Sequence, residues 1–440
     1  MKRIAPHWQI LAALVLSTLV ALVFRSLAAG AGEGARVTGF IAGALAACGF
    51  VGDLFMRALK MLIVPLVVTS VVSGIASLQG VKGFGRLGLK TATFYLTTGT
   101  LAILLGLTLV NLIRPGLSDG QPNAVIREAF VRSGETAGSA SVETVAAASI
   151  RKPGDFLGVF KTMLPENVVA AASDNGGMLG VIVFSILFAV AITRLPGDEM
   201  RTVREFFQAA CDAMIILTKW VMALAPIGVF ALILPVVYST GAELFTNLGK
   251  YFVTVLAALL IHLVVVLPLV LRFVGRVNPW AHFRAMRPAL LLAFSTASSS
   301  GTLPVAMRCV EEGSGVSRRV SSFILPLGSS VNTDGTALYE CVAVIFVAQV
   351  MGIHLGFGGQ LFVVVAALLT CIGMAGIPSA SLVAILLILK SSGIPGAETA
   401  VVALLSVDRL LDMSRTAVNV YGDSCAAVVI ARTEGETLNV

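Results

Sequence analysis

Apolar runs that approach the ~20 residues needed to cross a bilayer as helix recur along the whole chain, among them Trp8 to Phe24, Ile182 to Ile192 and Val253 to Val270. Nothing else limits the fold so strongly. A peptide group left unsatisfied in lipid costs several kcal/mol, so such runs must satisfy their own backbone as helices. With 57% hydrophobic and only 12% charged residues among 440, and a mean hydropathy of +0.93, the chain lies outside the range of soluble domains. It reads as an all-α polytopic membrane protein.

Ordinary spans are expected at about 8–29, 38–78, 86–113, 178–194, 203–237 and 249–275. Lys2, Arg3, the run behind them and "SLAAGAG" have the outline of a cleavable signal, but the remaining chain is membrane-embedded too, so a retained first helix fits better. A net charge of +7 could suggest nucleic acid, yet Lys and Arg sit in short loops and not on one basic face. They report orientation. Lys2/Arg3, Lys82/Arg86/Lys90, Arg194/Arg201/Arg204, Arg272/Arg276/Arg284/Arg287 and Arg318/Arg319 put the amino terminus and those loops in the cytoplasm, with Arg114, Arg127, Arg132 and Arg151 against the trend. The six cysteines are scattered without a CxxC pair, and the four histidines show no zinc spacing.

A polar stretch from Pro115 to Asp155, rich in Gly, Ser and Ala, is expected to form an external loop. Beyond it the hydrophobic segments are broken at their centres. Leu290 to Met307, "LLLAFSTASSSGTLPVAM", has two apolar arms around a serine-rich tip, and Leu361 to Lys390 repeats the design around Gly373 to Ser381. Each reads as a re-entrant hairpin, with a full span kinked at Gly or Pro as the alternative, and a pair of interrupted segments is the sequence pointer to a transporter's binding site. Between them, Asn332, Asp334 and Gly335 interrupt an otherwise apolar helix. These residues favour local unwinding, which frees carbonyl oxygens beside a carboxylate and suits a hard cation.

The last helix carries "LLDMSRTAVNVYGDS", Leu410 to Ser424. At ~100° per residue, Asp408, Asp412, Arg415, Asn419 and Asp423 fall within an arc of about 80°. Facing lipid, the four charges at roughly 2.5 to 3.5 kcal/mol each would cost about 10 kcal/mol or more, so this face must line protein or a wet cavity. An Asp412–Arg415 salt bridge that only staples helices would leave Asp408, Asn419 and Asp423 without a purpose. Asp334, Glu340, Asp408, Asp412 and Asp423 set five carboxyls against the single Arg415, so cations must bind or carboxyls must hold protons. Arg415 offers a planar fork for a carboxylate, and Asp412 one turn away accepts from an ammonium group. An amino acid with an acidic side chain satisfies both, its backbone carboxylate resting on the Ser298 to Ser300 tip and Asn419.

These are the residues by which the chain resembles the dicarboxylate/amino acid:cation symporter family, which includes the glutamate transporters. The matching motifs are "SSSGTLP" (298–304), "NTDGT" (332–336), "GMAGIPSA" (373–380) and "DMSRTAVNVYGD" (412–423), with "GDLFMRALKMLIVPLV" (52–67) and "MLPENVV" (163–169) in the first half. The resemblance implies eight transmembrane helices plus two re-entrant helical hairpins, an elevator-type transporter and a homotrimer in the lipid bilayer. It divides the chain into 1–113 (first and second scaffold helices, third transport helix), 114–177 (polar external loop), 178–248 (fourth and fifth helices, scaffold), 249–278 (sixth helix), 279–315 (first hairpin), 316–352 (seventh helix), 353–396 (second hairpin), 397–432 (eighth helix) and 433–440 (cytoplasmic tail).

Carried over by motif, Arg415 would bind the substrate's side-chain carboxylate and Asp412 its ammonium. Ser298, Ser299, Thr336, Thr416, Asn419 and the Gly376/Ile377 backbone would complete the pocket. Sodium would sit at Asp423 with the carbonyls of Gly328, Asn332 and Asn419, at Asp334 with the Asn332 side chain, Tyr95 and Thr98, and beneath the second hairpin. No cofactor is implied beyond sodium as coupling ion. Arg415 together with Asp412 implies L-glutamate or L-aspartate, Asp423 implies sodium, and Glu340 resembles the residue the animal transporters use for a proton. Thr333 stands for the usual Met, Gly99 for a hydroxyl residue, and Cys371 and Met374 for small or hydroxyl residues. The family's extra arginine is absent, since its two usual places hold Ala297 and Met413. A proton-coupled glutamate or C4-dicarboxylate symporter, a substrate-gated anion channel, and an intramembrane hydrolase with Ser299 as nucleophile and His262 or His282 as base are the rival readings. Short loops fit a bacterial inner membrane with both termini cytoplasmic.

Overall fold

The structure, a computed structural model, describes residues 6–30, 35–76, 84–128, 130, 164–173, 178–241, 243–373, 380–394 and 397–440. Most of the expected polar loop, and Met374, Gly376 and Ile377 in the second interrupted segment, lie outside the described residues.

The first half supplies α1 (Pro6–Gly30), α2 (Ala35–Ala76), α3 (Phe84–Ile113), the short α4 (Val168–Ser173), α5 (Met178–Ile192), α6 (Gly197–Ala223) and α7 (Ala225–Thr240). The single helix expected at 203–237 is thus two. Pro226 has no N–H for the Met222 carbonyl and its ring crowds that position, so the rod breaks at Leu224, which turns with ψ −7° and hands its own carbonyl to Ile227 and Gly228. After α3 the chain makes a small hairpin, β1 (Leu117–Ser118) against β2 (Gln121–Pro122). Asp119 and Gly120 both have positive φ, the two-residue turn whose twist matches a hairpin. Sequence reasoning passed over this local signal.

The second half begins with α8 (Glu243–Ile261), which continues through π turns at His262–Val266 and Leu271–Gly275 before Arg276 closes it in the left-handed region. Then α9 (Pro279–Thr296) starts behind Asn278, whose side chain accepts from the N–H groups of Trp280 and Ala281, with Pro279 pre-set for the first turn. It stops at Ala297, φ 50°, and α10 (Ser299–Arg308) restarts under the Ser298 cap, so the first serine-rich tip breaks as expected and its arms pack together. Next come α11 (Arg318–Val331), α12 (Asp334–Val350), α13 (Phe357–Gly373), α14 (Ala380–Ser391) and α15 (Ala397–Thr433).

Two packing groups follow. Helices α1, α2, α5, α6 and α7 pack on one another, around Phe55, Leu62, Val229 and Ile233 where α1, α2 and α7 meet. Around α12 stand α3, α8, α13, α14 and α15, and every α12 residue except Gln349 is buried. At the end of α15 the tail folds back: Glu434 meets Arg86 and Lys90, and the Asn439 N–H donates to the Ser314 carbonyl. Hydrogen bonds from Arg86, then Lys90, hold the Glu434 carboxyl down at about 2.

Candidate functional site

The site grows from the break between α11 and α12. Asn332 (φ −104°, ψ 99°) and Thr333 (φ −127°, ψ 61°) leave the helix, as the Asn, Asp and Gly content of the motif led us to expect. The freed Gly335 N–H donates to Asn419 Oδ1 at 2.8 Å, and Asn419 Nδ2 donates to Thr336 Oγ1 at 3.1 Å. Only glycine fits at 335, because a Cβ there would lie 2.8 Å from the Arg415 carbonyl oxygen. The unwound segment and α15 therefore touch backbone to backbone.

Two buried carboxylates flank this contact. Asp334 accepts from Thr98 Oγ1 at 3.3 Å, and its other oxygen lies 3.4 Å from His262 Nε2. Asp423 accepts from Asn332 Nδ2 at 3.0 Å, and a Cβ on Gly328 would collide with its carboxylate and come within 2.6 Å of the Tyr95 hydroxyl. Thr98 thus meets Asp334, and Gly328, Asp423 and Tyr95 come together, but the Asn332 side chain reaches Asp423 and not Asp334, while the Tyr95 hydroxyl itself donates to the Ile324 carbonyl at 2.9 Å. His262 is a member that sequence reasoning left as a packing residue. It sits on the π turn of α8, a distortion frequent at functional sites, and its Nδ1 has no partner among the described residues.

One turn along α15 lies the charged set. Arg415 donates through Nη2 to Asp412 at 2.7 Å and through Nη1 to Asp408 at 3.0 Å, while its guanidinium stacks 4.5 Å over the Tyr339 ring. The Tyr339 hydroxyl also donates to Asp408, at 3.0 Å. Thr416 spends its hydroxyl on the Asp412 carbonyl, 2.7 Å away on its own helix. The fork that could take a substrate carboxylate is thus closed by two carboxylates of the chain. Arg415 is not the core's single arginine: Arg409 is only 8% exposed and donates to the other Asp412 oxygen at 3.2 Å. The ledger of five carboxyls against one arginine becomes five against two. Sequence reasoning missed Arg409 because it stands outside the narrow arc, although its place three residues before Asp412 mirrors that of Arg415 three after.

Ser298 Oγ accepts from the Gly301 N–H, and Ser299 is buried at the start of α10. Glu340 accepts from Thr370 Oγ1 at 2.6 Å, and its second oxygen has no partner among the described residues. His282 lies between the Ser314 and Ser424 hydroxyls, 2.9 Å from each, and His262 faces Asp334. Neither imidazole serves Ser299 as a base, so the hydrolase pairing is not assembled.

A family model described as the sodium:dicarboxylate symporter family matches residues 7–433. The proton/sodium-glutamate symport protein of Bacillus caldotenax is 33% identical over 439 residues, covering 99% of this chain and 96% of that relative. Excitatory amino acid transporter 3 of Homo sapiens is 33% identical over 427 residues, 88% of this chain and 80% of the relative. The proton/glutamate-aspartate symporter of Escherichia coli K12 is 35% identical over 386 residues, 87% and 84% of the two chains.

Proposed function

The chain belongs to the sodium:dicarboxylate symporter family, and from that premise we propose that it is a secondary active symporter importing L-glutamate and L-aspartate with sodium and a proton. It is a multi-pass membrane protein of a transporter family, not of a catalytic one. The observation that carries the reading is the Asp412–Arg415 pair, 2.7 Å apart in the protein interior, on the face that also holds Asn419 and Asp423. An acidic amino acid exchanges for the internal pair: its side-chain carboxylate takes the Arg415 fork and its ammonium takes the Asp412 oxygen so released. Ser298, Ser299, Thr336, Thr416, Asn419 and the Gly376/Ile377 backbone complete the pocket.

Charge supports the cation part. Asp408, Asp412, Arg409 and Arg415 sum to zero, so a substrate of net −1 charges the cluster and draws cations to the neighbouring carboxylates. Sodium binds at Asp423 with the carbonyls of Gly328, Asn332 and Asn419, and at Asp334 with Asn332, Tyr95 and Thr98. Glu340, buried with one oxygen unpartnered among the described residues, carries the proton. The same reading holds the chain to be an elevator-type homotrimer of eight spanning helices and two hairpins, divided into scaffold and transport parts as the resemblance implies. It sits in a bacterial inner membrane with both termini cytoplasmic. A purely proton-coupled symporter is the second reading, favoured by Glu340 and by the name of the E. coli relative.

The test is uptake of labelled L-aspartate and L-glutamate into reconstituted vesicles, with and without an inward sodium gradient, across external pH. Concentrative uptake that requires sodium is expected. Uptake driven by a proton gradient alone overturns the sodium assignment at Asp423, and unaltered proton flux in E340Q overturns the role of Glu340.

A further inference from the structure

Asp412 is held from both sides. Arg415 reaches one carboxylate oxygen at 2.7 Å from one turn ahead, and Arg409 reaches the other at 3.2 Å from one turn behind. At ~100° per residue the two arginines stand about 60° to either side of Asp412 around α15. The two grips differ in what else they hold. Arg415 also bonds Asp408 and stacks on Tyr339, so its fork has further partners to exchange among. Arg409 has Nη1 on Asp412, while its buried Nε has no hydrogen-bond partner among the described residues. An arginine that leaves a buried donor unmet inside a membrane protein is costly, and its ion pair with Asp412 is what offsets that cost here.

From this geometry we infer that Arg409 is a positioning residue for substrate selection: it fixes the Asp412 carboxylate and keeps it charged when Arg415 turns from Asp412 to the substrate. The inference rests on the assignment of Asp412 to the substrate's ammonium. When Arg415 exchanges partners, the oxygen it leaves needs a fixed direction and a full negative charge to receive the ammonium. Without Arg409, the carboxylate loses one arginine at the moment the other departs. The consequence is specificity. Arg409 matters for ligands that carry an ammonium beside two carboxylates, and is indifferent to a dicarboxylate without one.

The experiment compares L-aspartate with succinate, which keeps both carboxylates and lacks the amino group, in sodium-driven uptake by reconstituted full-length protein. The quantity read is the KM for L-aspartate against the inhibition constant of succinate, in wild type, R409Q, R409K, D412N and R409Q/D412N. R409Q is expected to raise the KM for L-aspartate about tenfold, the worth of one charge-assisted hydrogen bond, with succinate unchanged. R409K, which keeps the charge without the fork, falls between. In the D412N background, R409Q adds nothing to the lost discrimination, because the group it positions is gone.

Wild-type discrimination in R409Q and R409K, or parallel weakening for both ligands as from a merely structural defect, overturns the inference. Should R409Q fail to insert as folded protein, R409K alone decides on the same ratio. If D412N itself keeps the wild-type ratio, the ammonium assignment fails instead, an outcome separate from a null result at Arg409.

Discussion

Gly197–Ala223 and Arg318–Val350 each contain an 18-residue stretch apolar enough to cross a membrane, with mean hydropathies of 1.3 and 1.2, yet 17% of the first stretch is buried and 94% of the second. The first carries Asp198, Glu199, Arg201, Arg204 and Glu205 in its opening turns and the exposed Asp212 and Lys219 further along, and turns Phe206, Ile216 and Trp220 outward. The second keeps Asn332, Asp334 and Glu340 near its middle, all buried. Equal hydropathy therefore hides two solvents. The first leaves its charges on an open surface, whereas a segment walled by protein can hold them at depth because neighbouring side chains satisfy them.

The contrast breaks first at the arginines. Arg415→Gln removes the guanidinium that Asp408 and Asp412 share, and losing one member of a buried ionic set costs roughly 3–5 kcal/mol. Labelled aspartate uptake should vanish and the detergent-solubilised protein should unfold at lower temperature. Arg201→Gln in α6, whose exposed pairing with Glu205 is at 3.9 Å, should change stability by no more than about 0.5 kcal/mol. Equal effects would erase the distinction between the two regions.

Apolar truncation comes next. Leu338 is fully buried in α12, and Leu338→Ala should cost roughly 2–5 kcal/mol by thermal or denaturant unfolding. Ile216→Ala, on the outward face of α6, should stay within about 0.5 kcal/mol. A larger loss at Ile216 would mean that another copy of the chain covers that face.

The cation region offers a gain. A Cβ on Gly99 would sit at an ordinary 3.5 Å from Asp334 Oδ1, so Gly99→Ser brings a hydroxyl to that carboxylate without displacing it. One added oxygen contact at about 1 kcal/mol should lower the sodium concentration for half-maximal uptake roughly fivefold. An unchanged sodium dependence would separate Asp334 from cation binding.

The smallest effect belongs to the tail. Glu434 is held at about 2, below its ordinary 4.5, by Arg86 and Lys90. A depressed carboxyl stabilises the fold above its unfolded value, so this contribution is complete above pH 4.5 and is lost as pH falls from there toward about 2. The pair is partly exposed and screened, so at most about 1 kcal/mol is at stake. Glu434→Gln should remove that part of the acid sensitivity of unfolding while leaving aspartate uptake at neutral pH intact.

Local pattern determined a good deal of this protein by itself. Membrane class followed from the apolar runs, the break at Asn332 and Thr333 from residues that compete with helix, the tip at Ala297 from the serine-rich interruption, and the shared face of Asp412, Arg415 and Asn419 from helical period. Each is a property of neighbours along the chain, within reach of one turn. Even there the reading was incomplete, for Pro226 splits a helix that hydropathy joins, and Arg409 was passed over three residues from Asp412. Tertiary structure alone decided what the face meets: Asp334 beside His262, 72 residues earlier, Tyr339 over Arg415, and Asn332 on Asp423. It also decided which of two equally apolar segments is wrapped in protein. Periodicity fixes the direction a side chain leaves its own helix, but the energy of a buried charge depends on what stands opposite, and that is set only when distant helices pack.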